Sequence, residues 1–146
     1  MTDYPPRERA AYPLFHRLAT RWRDDDVYGH MNNVVYYEYF DTAVNRWLVQ
    51  SGALEVPHGP VVGLVAETGC KYIASVGFPD ELEVGLSTLR VGGSSVIYGL
   101  GLFRAGEEEA SALCRFVHVY VDTATRKPVP LPDSFRLALR ELAQRG

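Results

Sequence analysis

Residues 24 to 33 read Asp-Asp-Asp-Val-Tyr-Gly-His-Met-Asn-Asn, and directly after them apolar residues recur at helical spacing. A polar loop therefore delivers carboxylates to the start of a helix. The first turn of a helix carries unpaired N–H groups and a partial positive charge that stabilise an oxyanion, and a nearby aspartate can serve as base or nucleophile. Both halves of a hydrolytic site for a carbonyl substrate thus lie within ten residues. Taken alone, three adjacent aspartates are more often a solvated turn, and Asp24 and Asp25 read as loop-shaping or solvent-facing. Gly29 reads as a backbone conformation or close approach that a side chain forbids. His30 reads as an orienting or capping group, because an Asp and a His in one loop, with no Ser or Cys nucleophile beside them, make no triad.

The elements that position this loop follow from periodicity. Before it, Phe15 to Arg23 alternates loosely and predicts a strand, after a Pro-rich extended leader over 1–13. After it, Tyr37, Phe40, Val44, Trp47 and Leu48 fall on one helical stripe, with Asn32 as N-cap, Asn33 as first residue and Ser51-Gly52 as the stop. About seventeen residues at 1.5 Å each make a helix of roughly 25 Å. Strands are predicted near 61–73, 81–92, 95–105 and 110–122, separated by Gly77-Phe-Pro-Asp80, Gly92-Gly-Ser94 and Arg104-Ala-Gly106. Connections this short predict antiparallel neighbours. Pro130-Leu-Pro132 halts the sheet, Asp133 or Ser134 can cap, and Phe135, Leu137, Leu139 and Leu142 predict a partly apolar helix to the end. The class is α+β, in which one apolar helix is buried by lying across one face of a curved antiparallel sheet.

Composition limits what such a domain does. A chain of 146 residues, 47% hydrophobic and 23% charged, fits one globular domain over 1–146, and its 15 basic against 18 acidic residues are scattered rather than striped. No nucleic-acid partner is expected. Without an apolar run fit for a signal or a membrane span, the expectation is a cytoplasmic protein with no membrane partner. Cys70 and Cys114 read as buried small hydrophobes. His16, His58 and His118 lack metal-ligand spacing and read as satisfied structural histidines, so no metal site is expected.

The run Asp24-x-Asp26-x-x-Gly29-His30-Met31-Asn32-Asn33-x-x-Tyr36, followed by Phe40-Asp41, resembles the hot dog-fold thioesterases of the 4-hydroxybenzoyl-CoA thioesterase family. The likeness extends to Gly92-Gly-Ser-Ser95, Val119-Tyr-Val-Asp122 and Pro128-Val-Pro-Leu-Pro-Asp-Ser134, and so covers about residues 15 to 140. It implies a five-stranded antiparallel sheet wrapped around a long central helix, with a short C-terminal helix. It further implies a homodimer or dimer of dimers with sites at the subunit interface, hydrolysing an acyl-CoA to free acid and CoA. The family's catalytic aspartate falls on Asp26 and its oxyanion-binding N–H on Asn33. Asp26 then attacks the thioester or activates a water, and both routes stay open. A thiolate leaves without a strong general acid, so no cofactor is required, CoA being part of the substrate. Arg90, Ser94 and Ser95 fall on the stretch bordering the family's CoA groove. Glu67 is the rival carboxylate, since related enzymes draw an acid from another element. The alternatives are an acyl-ACP thioesterase and a non-catalytic acyl-CoA-binding hot dog protein; a dehydratase is disfavoured because no acid–His pairing for its proton transfers is apparent.

Overall fold

The computed structural model describes residues 4–56 and 58–143; the first three residues of the expected leader and the last three of the expected terminal helix lie outside the described residues. The elements are β1 (Leu14–Ala19), α1 (Val35–Ser51), β2 (Val61–Tyr72), β3 (Glu81–Val91), β4 (Ser95–Arg104), β5 (Ala112–Asp122) and α2 (Asp133–Arg140). The first strand is shorter than predicted: after Ala19 the chain leaves the sheet and makes a 3-10 turn over Trp22–Asp24. The closing helix also stops early, at Arg140.

All five strands form one antiparallel sheet in the order β1-β3-β4-β5-β2. Consecutive β3, β4 and β5 are neighbours, as short connections require. The strands β2 and β3 are not, despite the turn-like residues between them, because β2 pairs with β5 at the far edge and the connection crosses back toward β1. The helix α1 joins the edge strand β1 to the opposite edge strand β2, so it must span the face of the sheet.

That crossing is driven by burial. Tyr36, Tyr39, Phe40, Ala43, Val44, Trp47 and Leu48 are buried on α1 against Leu82, Val84, Leu86, Tyr98, Leu100 and Leu102 of the sheet. The buried stripe is wider than the predicted one, taking in Tyr36 and Tyr39 and leaving Tyr37 half-buried. Gly52, at φ +66°, ends α1 in the left-handed conformation that relieves its last carbonyls. The helix closure at α2 inserts Phe135 beside Trp47 and Tyr120. The leader covers the other face of the sheet: Tyr12 packs with Phe15 and Phe103, and Gly85 and Gly101 leave room for its ring, where an added Cβ would come within 2.7 and 2.8 Å.

The strand β2 is the exception to this cover. It is an edge strand whose residues 64–68 are all exposed, including Leu64 and Val65, and its pairing with β5 shifts register between Val65 and Glu67. Among the described residues no helix is long and apolar enough to cross a membrane.

His16 and His118 are buried, but they are not satisfied: among the described residues the Nε2 of each lacks a hydrogen-bond partner. Burial lowers the pKa of His118 to about 4 and lowers that of His16 as well. An unfolded histidine at its ordinary value near 6.5 takes up a proton that folded His118 refuses, so stability falls as pH drops from about 6.5 toward 4. The penalty from His118 alone is on the order of 3 kcal/mol at the lower limit. Urea unfolding of His118→Phe should show a shallower loss of stability over this interval than the parent chain; parallel curves would mean that the histidine does not stay neutral in the core.

Candidate active site

The loop that follows β1 is held by Asp24. Its carboxylate accepts the Arg21 N–H at 2.8 Å, the Arg21 Nε–H at 2.9 Å and the Tyr39 hydroxyl of α1, and it is 1% exposed. Burial opposes its charge, but the hydrogen bonds from Arg21 and Tyr39 outweigh that and hold its carboxyl below the usual carboxylate range. Asp24 is thus loop-shaping and not solvent-facing. Its backbone carbonyl accepts the Asn32 N–H at 2.9 Å, which ties the two ends of the loop together. Asp25 turns the other way and accepts the Phe78 N–H at 3.1 Å, while the Met31 N–H donates to the Val76 carbonyl at 2.8 Å, so the loop is also fixed to the β2–β3 connection.

Between these anchors the chain reverses. The Asp26 N–H donates to the His30 carbonyl at 3.1 Å, the Gly29 N–H donates to the Asp26 carbonyl at 3.2 Å, and Asp26 Oδ1 accepts the Tyr28 N–H at 2.8 Å. Gly29 has φ +85° with open space around its missing Cβ, so backbone conformation, not close approach, selects glycine. Asp26 lines a cleft of about 300 Å³ with His30, Asn33, Tyr36, Tyr72 and Ser75.

Asn33 enters this cleft just before α1. The helix begins at Val35 instead of at Asn33, because Asn32 closes a turn upstream of it: Asn32 Oδ1 accepts the Val34 N–H at 3.0 Å and its carbonyl accepts the Val35 N–H at 3.0 Å. With the Asn32 and Val34 N–H groups engaged, the Asn33 N–H between them has no partner among the described residues. The carbonyl of that same peptide, from Asn32, is held by the Val35 N–H, while the Asn33 carbonyl in the next peptide accepts from the Tyr72 hydroxyl at 2.9 Å and ties the segment to β2. Asp26 and Asn33, the latter with its N–H free beside the start of α1, therefore line one cleft, residue types able to polarise a carbonyl and attack it. His30 lines the same cleft, with only a long 3.5 Å approach of Nδ1 to the Met31 carbonyl.

The other sequence candidates lie elsewhere in the chain. Arg90 is the penultimate residue of β3, Ser94 precedes β4 and Ser95 opens it, at the end of the sheet opposite the Asp26 loop; nine residue steps take the chain from Glu81 to Arg90, about 30 Å. In that turn the Gly92 N–H donates to the Ser95 carbonyl, the Tyr120 N–H to the Ser94 carbonyl, and Arg136 of α2 donates to the carbonyls of Gly92 and Gly93. Arg136 is a cation that sequence reading missed, since nothing in forty-odd intervening residues links it to the turn. Tyr72 was missed likewise. Glu67 stands on exposed β2, ion-paired with Arg115 of β5, away from Asp26. Cys114 is buried as expected, whereas Cys70 is only half-buried; burial pushes the Cys70 thiol up to about 11 and raises that of Cys114 also.

Comparison with known proteins agrees with this architecture. The thioesterase-like superfamily matches residues 20–139. The chain is 46% identical to the Pseudomonas aeruginosa protein PA5185, with a TM-score of 0.92 over 97% of this chain and 99% of that one. A Thermus thermophilus thioesterase solved with coenzyme A and zinc is 29% identical, with a TM-score of 0.75 over 90% of this chain and 95% of that one. The Bacillus subtilis (strain 168) protein YsmA is 28% identical over 107 residues, 72% of each chain. With the match running from the start of the Asp24–Asn33 loop to α2, the chain belongs to the thioesterase-like superfamily and has its hot dog fold.

Proposed function

We propose that this thioester hydrolase cleaves an acyl-CoA to free acid and CoA, with Asp26 as general base or nucleophile and the Asn33 N–H as oxyanion donor. The observation that supports the reading is that Asp26 and Asn33, whose N–H has no partner among the described residues, line one cleft at the start of α1. A thioester carbonyl whose oxygen lies on that N–H gains electrophilicity as negative charge develops, and the donor needs little reorganisation because the Asn32 carbonyl of the same peptide is already held by the Val35 N–H. Asp26 then adds to the carbonyl carbon, or removes a proton from a water that adds. Collapse of the tetrahedral species expels the CoA thiolate, which needs little protonation to leave. We place the reaction in the cytoplasm.

The CoA end of the substrate argues for two copies of the chain. The free edge of β2 can accept a second β2, and antiparallel pairing of the two would reverse one sheet against the other. The Val61 end of β2 is also the end that carries the 90–95 turn, while its Tyr72 end adjoins the Asp26 cleft. Pairing would bring one copy's turn toward the other's cleft, so Arg90, Ser94 and Ser95 of one copy would meet a CoA whose thioester lies on the other. The same exposed edge supports a homodimer, with a dimer of dimers as its extension. The Thermus thermophilus relative held coenzyme A, which supports CoA as the thiol.

Three outcomes test this reading. Asp26→Asn keeps an acceptor for the Tyr28 N–H and should leave the fold intact while cutting kcat on the best acyl-CoA by roughly 10²-fold or more; undiminished turnover would remove Asp26 from the chemistry. Light scattering should give at least a dimer, whereas a fully active monomer would contradict a shared site. Arg90→Ala should raise KM for acyl-CoA with kcat nearly unchanged and leave an acyl-pantetheine substrate indifferent, because a phosphate contact binds ground and transition states alike.

A further inference from the structure

Asn33 stands just outside a helix that it has the bonding groups to join. In a helix carried further back, the Tyr37 N–H would donate to the Asn33 carbonyl, four residues before it. It donates instead to the Val34 carbonyl at 3.1 Å, a tighter bond of the 3-10 kind. The Asn33 carbonyl is thereby turned out of the helical ladder toward the sheet, where the Tyr72 hydroxyl donates to it at 2.9 Å. Among the described residues this is the only hydrogen bond to residues 32–34 that comes from outside the loop and α1. The hydroxyl arrives from a fixed strand end. Tyr72 closes β2 opposite Ala112, and the next two N–H groups, of Ile73 and Ala74, both donate to the Ser111 carbonyl, at 2.9 and 3.0 Å. Its ring stands edge-to-face on the buried ring of Tyr36, with centroids 4.9 Å apart and planes at 89°. Burial, with Cys70 and then Tyr37 close by, holds the hydroxyl above its ordinary value, so it keeps its proton for a carbonyl that can only accept.

Resting on the acyl-CoA reading above, we infer that Tyr72 is a positioning residue for the reaction: its hydroxyl holds the Asn33 carbonyl out of the helix and so keeps the Asn33 N–H where it serves as oxyanion donor. That N–H belongs to the preceding peptide, whose Asn32 carbonyl is held by the Val35 N–H. Tyr72 therefore acts through the backbone angles of Asn33, the joint between the two peptides. Without the hydroxyl, the Tyr37 N–H is free to exchange the Val34 carbonyl for that of Asn33, α1 extends at its start, and the peptide carrying the donor turns with it. An oxyanion donor works by standing in place before charge develops. A small rotation removes stabilisation of the transition state and leaves ground-state binding of the substrate untouched.

Tyr72→Phe keeps the ring on Tyr36 and removes the hydroxyl alone. On the best acyl-CoA, kcat should fall roughly tenfold or more with KM unchanged. The Kd of an S-alkyl-CoA thioether, which has no carbonyl for an oxyanion donor to hold, should match that of the parent, as should the molecular mass by light scattering. In a crystal structure of the variant the Tyr37 N–H should donate to the Asn33 carbonyl. An unchanged kcat overturns the inference, and so does a Tyr37 N–H that stays on Val34. A loss of thioether affinity or of molecular mass alongside kcat also overturns it, because Tyr72 is then a binding or structural residue. If the parent cleaves no CoA thioester, the acyl-CoA reading fails at the parent and the inference with it; an active parent whose kcat is indifferent to Tyr72→Phe sinks the inference alone.

Discussion

The buried carboxylate of Asp24 is the interaction on which the site depends. The carboxylate joins the segment after β1, through Arg21, to the second turn of α1, through Tyr39, and the backbone carbonyl of the same residue adds the approach to α1 through the Asn32 N–H. A buried charge is tolerated only when its lone pairs are engaged, and removing a partner from such a group costs about 3–5 kcal/mol. Asp24 is fully engaged, which makes the loop conformation close to unique. That rigidity sets the direction of Asp26 two residues later and leaves the Asn33 N–H uncommitted. The acids of the Asp-Asp-Asp run thus divide by environment: Asp24 is buried and structural, Asp25 is bonded to the β2–β3 connection, and Asp26 opens on the cleft.

Topology supplies the second constraint. Because α1 must run from one edge strand to the other, its first turn lies at the end of the sheet where β1 stops and β2 finishes. The Asp26 loop, Tyr72 and the β2–β3 connection are forced together there. The crossing also leaves β2 with one unpaired edge and exposed apolar side chains, whereas the opposite face of the sheet is sealed by Tyr12 and Phe103. An edge of twelve residues left open is a liability unless something pairs with it, and the hot dog arrangement leaves that liability next to the Asp26 loop.

Much of this was legible in the residues. The helical stripe from Phe40 to Leu48, the four later strands and the class of the fold followed from periodicity, and the Gly29–Asn33 motif pointed to the loop that does line a cleft. Three features were not legible, each for a physical reason. The separation of β2 from β3 is a long-range pairing decided by where α1 lies, and the turn-like residues at 77–80 carry no record of it. The true start of α1 depends on the Asn32 side chain capping a preliminary turn, which a cap preference alone places two residues too early. The burial of Asp24 depends on Tyr39, fifteen residues away, whose hydroxyl cannot be told from that of any core tyrosine by spacing.

The placement of the site candidates carries a further consequence. Within one chain the Asn33 N–H and the 90–95 turn lie toward opposite ends of the sheet, which β3 spans over about 30 Å. A single chain of this fold can hold the reacting bond or the distal end of a long thiol substrate, but the two holds do not converge. In the proposed dimer the antiparallel apposition of β2 edges converts that separation into proximity, because opposite ends of the two sheets become neighbours. Binding energy from the distal end would then be available at the thioester only in the assembled form.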